Sequence, residues 1–145
     1  RPNPGGTPRN LVVTKSKSTL PSGTYYLTSL TIDKNAVLKF NGPTTLYING
    51  DVIFENNGEI RAYNDVPANL KIRQLGNHEF GGNKANNVTI IADIEAPDSD
   101  FSVKNNATLR GRAVFNTIDV KNNAEFYYDE ALNTQLSNGG VSLVQ

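Results

Sequence analysis

Four acidic side chains lie within the stretch ADIEAPDSD, and they are the residues of this sequence whose chemistry is easiest to name. Carboxylate oxygens at this density are the ligands that calcium prefers in proteins. The spacing matches no EF-hand loop, however, and no glycine marks a sharp turn, so a solvated acidic corner is the competing interpretation. Two alternatives stay open, a solvated corner or a calcium site built from Asp93, Glu95, Asp98 and Asp100, and no other cofactor is indicated.

Side chains for catalysis are scarce. His78 is the only histidine and the chain has no cysteine, which argues against a Ser-His-Asp triad, thiolate catalysis and a two-histidine metal site. Outward cations could serve a polysaccharide lyase or hydrolase, and the candidates are Lys71, Arg73, Arg110 and Arg112. Such an enzyme needs a longer, walled groove, so we interpret these cations as solvated and expect no enzymatic activity.

Aromatic side chains indicate a different function, the binding of carbohydrate. Tyrosine rings can present a flat surface on which sugar rings stack. The tyrosines are Tyr25, Tyr26, Tyr47, Tyr63, Tyr127 and Tyr128. Packing between neighbouring strands is the competing role for these rings. Carbohydrate, or a host or cell surface, is therefore an alternative partner, and a surface adhesin is the alternative function.

Length and charge exclude several classes of protein. The chain has 145 residues, enough for one domain with its own core. Its net charge is zero, so nothing attracts it to nucleic acid, and no apolar run reaches the roughly 18 residues of a membrane span. The absence of cysteine favours an extracellular or cell-surface location, and a sequence without methionine that begins at Arg1 is expected to be a processed product or a fragment.

A repeated phrase organises the chain. Val-Lys-Asn-Asn-Ala begins at Val103 and again at Val120, 17 residues later. An asparagine followed by Ala, Gly or Val recurs before strand-like runs, at steps of 22, 30, 19 and 17 residues. These asparagines are Asn35, Asn57, Asn87, Asn106 and Asn123. A period of about 20 residues is typical of a solenoid.

Apolar and polar residues alternate between these asparagines, with no convincing helical periodicity. We therefore predict an all-β fold, a right-handed parallel β-helix of about five short turns with an extended N-terminal arm. The asparagines would occupy left-handed corners and form a ladder of side-chain amides. A β-sandwich of hairpins is the alternative, but hairpins favour Asn-Gly turns, and most of these repeats read Asn-Ala.

The period also predicts which residues stack. A column of small residues would contain Ala36, Gly58, Ala107 and Ala124, and the adjacent column of large residues would contain Leu38, Ile60, Leu109 and Phe126. The longest step includes residues 74–87, which are rich in glycine and asparagine. We interpret this segment as a loop that bulges from one turn.

Both ends of the chain are expected to lie outside the β-helix. Residues 1–19 would form an extended arm and a short strand, residues 20–132 the β-helix, and residues 133–145 a tail strand. The apolar residues of the two terminal strings are Leu11, Val12, Val13, Val141, Leu143 and Val144. Because the end of a β-helix exposes unpaired backbone groups, each string could pair with the open turn of a neighbouring subunit or cap its own.

Two phrases resemble those of a known family. The repeats open with PSGTYY at residues 21–26 and close with YYDEAL at residues 127–132. With the Asn-Asn-Ala turns, they resemble the short β-helical domain of bacterial pilin-like and type IV pilus-assembly-associated surface proteins, and also polymer-forming β-helical filament proteins. This resemblance implies a non-enzymatic structural subunit that polymerises with itself, by end-to-end or strand-addition contacts, in an extracellular filament or pilus-associated assembly.

Overall fold

The computed structural model describes residues 7–128 and 142–144. These residues form one continuous sheet of parallel β-strands. The sheet winds into a right-handed parallel β-helix of about six turns, which confirms the fold predicted from the sequence and adds one turn to it. No helix in the described part of the chain is long and apolar enough to cross a membrane.

The strands are short in the early turns and long in the later ones, where β10 and β11 each run through a whole turn. They are β1 Arg9–Val13, β2 Ser18–Leu20, β3 Gly23–Ile32, β4 Val37–Phe40, β5 Thr44–Ile48, β6 Val52–Phe54, β7 Glu59–Arg61, β8 Leu70–Gln74, β9 Glu79–Gly81, β10 Thr89–Val103, β11 Thr108–Val120, β12 Glu125–Tyr128 and β13 Ser142–Val144.

Three strand segments make up one turn, and each of the three faces of the helix is a stack of such segments. The first face holds β2, β4, β7, the starts of β10 and β11, and then β12 and β13. The second face holds the first half of β3, then β5, β8 and the middle parts of β10 and β11. The third face begins with β1 and continues with the end of β3, β6, β9 and the ends of β10 and β11. Outward side chains therefore form straight columns along the helix axis.

Inward side chains fill the helix with apolar columns. On the first face the register stacks five large residues that are at most 1% exposed, namely Leu38, Ile60, Ile90, Leu109 and Phe126. The repeat period predicts four of these in one column, and Ile90 completes it because β7 pairs with β10. Burial of each such side chain contributes about 1.5–3 kcal/mol to folding, so these columns are a main source of stability.

The expectation of a bulging loop at residues 74–87 is wrong. This segment contains β9, which pairs with β6 on one side and with β10 on the other. Phe80 in β9 is fully buried, and its ring lies 6.1 Å from that of Phe54 and 5.9 Å from that of Phe101. The segment is therefore a regular strand of its turn, and its glycines and asparagines belong to the corners on either side.

The extra length of this turn lies instead between β7 and β8, in residues 62–69, which we call the insertion. Two short 3₁₀ helices, Tyr63–Asp65 and Pro67–Asn69, form it, and the second lies against β10 and β11. Pro67 is buried, and a Cβ at Gly111 would come within 2.8 Å of the Pro67 Cβ. Only glycine allows this close approach, and the φ of 131° at Gly111 also disfavours other residues.

The stack extends beyond the domain boundaries expected from the sequence. β1 pairs with the end of β3, so stacking begins at Arg9, within the stretch expected to form an arm and a short strand outside the β-helix. β13 pairs with β12, so the expected tail strand adds to the first face. Residues 1–6, 129–141 and 145, which include the start of the arm and Val141, lie outside the described residues.

An Ile60→Asp substitution tests the inward register. Ile60 is fully buried between Leu38 and Ile90, where a carboxylate would have no partner. We expect the free energy of unfolding in urea to fall by more than about 3 kcal/mol. Thr45→Asp is the control, because Thr45 is half-buried, points outward and pairs with Lys71, and its cost should stay below about 1 kcal/mol. Equal losses in the two variants would contradict the register.

Candidate functional site

The corner asparagines are the most regular feature of the surface. Asn35, Asn57, Asn87, Asn106 and Asn123 all have a positive φ, between 57° and 65°. Their side chains form amide hydrogen bonds along the axis. Asn57 Nδ2 donates to Asn35 Oδ1 at 2.8 Å, Asn106 Nδ2 to Asn87 Oδ1 at 3.0 Å, and Asn123 Nδ2 to Asn106 Oδ1 at 3.3 Å. These bonds hold the corner of Asn35 in line with that of Asn57, and the corner of Asn87 in line with those of Asn106 and Asn123.

A second asparagine column, which the sequence analysis did not single out, precedes the first. Its members are Asn56, Asn86, Asn105 and Asn122, and each backbone carbonyl accepts the N–H of a corner asparagine in the preceding turn at 2.9–3.0 Å. Asn86 Nδ2 also donates to Asn56 Oδ1 at 3.0 Å. The Asn-Asn doublet in the sequence was the signal for this column. Together the two columns satisfy backbone groups that a sharp corner would otherwise leave unpaired.

The acidic residues considered as calcium ligands do not converge. Asp93 is buried on the second face, where Arg112 Nη1 lies 2.6 Å from its Oδ1 and Arg73 Nη2 lies 3.3 Å from its Oδ2. Glu95 contacts the same two arginines, at 2.5 Å and 3.5 Å. Asp100 accepts a hydrogen bond of 2.6 Å from Thr117 Oγ1 on the third face.

Asp98 is exposed and belongs to no ion pair among the described residues. Within residues 7–128 and 142–144, no three acidic or histidine side chains come together in a way that could hold a metal ion. The two half-buried arginines and their two carboxylates form a neutral cluster, so its evident role is to join three turns of the second face.

The basic residues considered for a catalytic groove fall on two different faces. Arg73 and Arg112 belong to the neutral cluster, and Lys71 lies exposed beside it. Arg110 lies on the first face, with its guanidinium carbon 5.7 Å from the centre of the Tyr127 ring. These four cations therefore do not line one groove.

His78 lies at the corner between β8 and β9. Its ring nitrogens face Asn49 Oδ1 at 3.3 Å and Asp51 Oδ1 at 3.7 Å. The hydroxyl oxygen of Ser99 accepts a hydrogen bond of 3.3 Å from the backbone N–H of His78 and not from its ring. The described residues thus bring no serine hydroxyl to this imidazole in the geometry of a nucleophile and its base.

The tyrosines separate into packed and exposed groups. Tyr25 is buried, and its hydroxyl donates to the carbonyl of Pro21, which explains part of the PSGTYY phrase. Tyr26 and Tyr47 stack on the outer side of the second face, with ring centres 5.5 Å apart and planes inclined by 13°. They are 38% and 37% exposed, so this pair is an aromatic surface open to solvent.

A polar cleft of about 460 Å³ lies between the insertion and the first face. Lys39 and Asn41 line one side, and Tyr63, Asn64 and Asp65 line the other. The repeat period does not predict this cleft, because it places the extra length of the turn in residues 74–87.

The insertion is fixed by an arginine. Arg61 Nε and Nη2 each lie 3.0 Å from one of the two carboxylate oxygens of Asp65, and Arg61 Nη1 lies 2.7 Å from Glu59 Oε1. These hydrogen bonds from Arg61 lower the pKa of Asp65. The ionised pair holds the wall of the cleft in place.

The terminal strings pair within the chain. Leu11, Val12 and Val13 belong to β1 and pair with β3, while Leu143 and Val144 belong to β13 and pair with β12. Within the described strands, β1 and β2 each have a single neighbour, so one edge of each stays open at the N-terminal end of the stack. Val12 on this end is 47% exposed.

Comparison with protein families matches about two thirds of the chain. Residues 41–135 match the family described as domain of unknown function DUF7305. The chain belongs to the DUF7305 family. The DUF7305 segment starts in the second turn and includes the insertion, the cleft wall and the neutral cluster. No curated protein and no solved structure matches the chain.

Two substitutions at Asn106 separate backbone strain from the side-chain ladder. Asn106 has a φ of 63°, which glycine adopts freely and alanine does not. Asn106→Gly should lose only the ladder hydrogen bonds, whereas Asn106→Ala should be less stable by a further ~1–2 kcal/mol. Urea denaturation of both variants measures the difference. If the two variants were equally stable, the left-handed corner would not be a constraint on this fold.

The ion pair of the insertion predicts a pH dependence. Because the pKa of Asp65 is lowered from 3.8, its contribution to stability is present above that value and is lost as the pH falls through the lower pKa of the folded state. Asparagine adopts a φ of 55° at least as readily as aspartate does, so Asp65→Asn should remove this contribution without adding backbone strain. Between about pH 4 and pH 2 the melting temperature should fall less steeply in this variant than in wild type. Asp98→Asn, at an exposed site, should keep the wild-type slope; a shared slope in all three proteins would refute the assignment.

Proposed function

We propose that this protein is a non-enzymatic structural subunit of an extracellular filament or pilus-associated assembly, and that it polymerises with itself by end-to-end contacts. The observation that carries the proposal is the open strand edge at the N-terminal end of the stack. Open edges template pairing with another chain, and natural proteins usually cover them. The resemblance of the opening and closing phrases to pilin-like and filament-forming surface proteins points in the same direction.

The backbone of β1 is oriented for such pairing. The Val13 carbonyl accepts the N–H of Asp33 at 2.9 Å, so the peptide groups of Val13 face β3. Backbone groups alternate sides along a strand, and the N–H and C=O of Val12 therefore point to the open edge. Asn10 lies two residues before Val12 in the same strand, so its N–H and C=O also point to the open edge. This edge offers donors and acceptors to one further parallel strand.

Apolar side chains accompany the open edge. Leu11 and Leu20 are partly buried against the core, and they line an opening of about 200 Å³ together with Val12 and Leu38. A second copy placed on this end would remove that apolar surface from water, which favours association at about 25 cal/mol per Å². Backbone pairing and apolar burial would therefore act at the same contact.

The polarity of the stack makes its two ends complementary. All strands are parallel, so the last turn of one copy can continue into the first turn of the next in the same direction. Such a contact joins different surfaces of identical subunits, and when it does not close into a ring it yields filaments. Because both terminal strings already pair within the chain, end-to-end stacking needs no strand exchange and is the mode we favour.

A proline at Val12 tests the proposal. Val12→Pro removes one outward N–H from an edge strand, where proline is tolerated, and should abolish assembly while the β signal in circular dichroism persists. Val12→Ala keeps the N–H and should assemble as wild type does. Light scattering over a concentration series and negative-stain microscopy report the outcome. Wild type that stays monomeric throughout, or a proline variant that still forms filaments, would contradict the proposal.

A second function, carbohydrate binding at a surface, is favoured by the Tyr26–Tyr47 pair. Two exposed, nearly parallel rings on a flat sheet offer C–H stacking to a sugar. In this function the protein would act as an adhesin, alone or as part of the assembly.

A further inference from the structure

Among the described residues, the insertion is the longest connection between two strands. Residues 62–69 form two 3₁₀ helices before β8 begins, whereas the next longest connection, residues 82–88, contains no helix. Part of this length covers β10 and β11 through Pro67. The first 3₁₀ helix has no buried residue, so packing does not account for it.

The backbone of this first 3₁₀ helix is strained and held. Asn64 and Asp65 have φ values of 56° and 55°, an uncommon conformation for two consecutive residues other than glycine. The bidentate contact with Arg61 fixes Asp65, and Asn69 Nδ2 donates to the Tyr63 carbonyl at 3.2 Å. Strain that the surroundings hold in place is often found at binding sites.

The result of this arrangement is an aromatic ring beside a polar cleft. Tyr63 is 37% exposed, and the amide side chains of Asn41 and Asn64 line the same space. The cleft volume of about 460 Å³ lies within the range of small-ligand sites. A ring face with amide donors and acceptors around it matches the two surfaces of a sugar, whose C–H groups stack and whose hydroxyls exchange hydrogen bonds.

Charge selects among sugars. Arg61 contacts the carboxylates of both Glu59 and Asp65, so these three side chains together carry one net negative charge. Lys39 lines the cleft, is exposed and forms no ion pair with a described residue. The positive charges of Lys39 and Arg110 also help to lower the pKa of Asp65. Among the ligands that stack on tyrosine, a sugar with a carboxylate would give the Lys39 ammonium a partner.

We propose that this cleft binds an acidic sugar unit, a uronate within a polysaccharide, with its ring on Tyr63, its hydroxyls on Asn41 and Asn64, and its carboxylate on Lys39. The inference rests on the saccharide-binding function proposed above, and it adds to that function a subsite for an acidic sugar in the cleft beside the insertion. Filament formation at the end of the stack is independent of it.

Calorimetric titration with uronate tetramers tests the inference. The probes are tetramers of galacturonate, glucuronate and mannuronate, each beside its methyl ester, which keeps the ring and removes the charge. Wild type should bind at least one acid tetramer about tenfold more tightly than the ester, the effect of one charge-assisted hydrogen bond. Lys39→Gln should lower the affinity for the acid to that for the ester and leave ester binding unchanged.

Two further variants locate the site. Asn64→Gly keeps the left-handed backbone and removes only the amide, and Tyr63→Ala removes the ring; each should weaken acid and ester alike by at least about fivefold. Tyr26→Ala removes the aromatic surface of the second face and so distinguishes the two locations, and Leu75→Ala, at an exposed apolar residue that belongs to neither surface, is the control and should bind as wild type does. Circular dichroism confirms that every variant folds.

The outcomes separate this inference from the functions proposed above. If Tyr26→Ala loses binding while Tyr63→Ala keeps it, saccharide binding stands and the cleft assignment falls. If wild type binds neither acid nor ester tetramers, the saccharide function and the cleft assignment fall together, and the filament proposal is unaffected. Equal affinity for acid and ester would overturn the role given to Lys39 and the choice of an acidic sugar.

Discussion

Each turn of this chain must end where the previous turn ended, about 4.8 Å further along the axis. The corner asparagines meet this constraint, because asparagine accepts a left-handed backbone and its amide bonds to the corner next to it. The preceding asparagines supply the backbone carbonyls that the corner N–H groups need. Once the corner is in register, the flanking strands pair in parallel, and the inward residues of every turn fall into the same columns.

The same constraint explains which features could be predicted from the sequence. Each corner needs a residue that adopts a left-handed conformation, so asparagine recurs about every 20 residues. This period predicted the fold and the column of large inward residues. Val88 stands where other repeats have alanine or glycine, and it is fully buried there. The repeat is therefore set by the corner and only loosely by the size of the residue that follows.

The wrong prediction of a loop at residues 74–87 shows which features a local sequence pattern does not predict. Phe80 is a single apolar residue between glycine, glutamate and asparagine, too few residues to display alternation, although it is as deeply buried as any other. The insertion had a local signal in Pro67, but its contact with Gly111 joins residues 44 positions apart, and no local pattern reports such a pair. The charged residues of the second face were found individually, but their mutual neutralisation depends on the register of β8, β10 and β11.

The turns are stacked along a single axis, so a pulling force between the two ends of the stack reaches the turns in order. Arg9 lies in the first strand of the stack and Val144 in the last, at opposite ends of the axis. A force applied between these two residues runs along the axis, parallel to the hydrogen bonds between turns. The bonds of an end turn therefore break one pair at a time, and the turns separate one after another. Each released turn of about 20 residues adds roughly 70 Å of contour length. A fibre made of such units would lengthen in discrete steps under force and dissipate energy with each step, so that its extensibility would follow from the corner spacing.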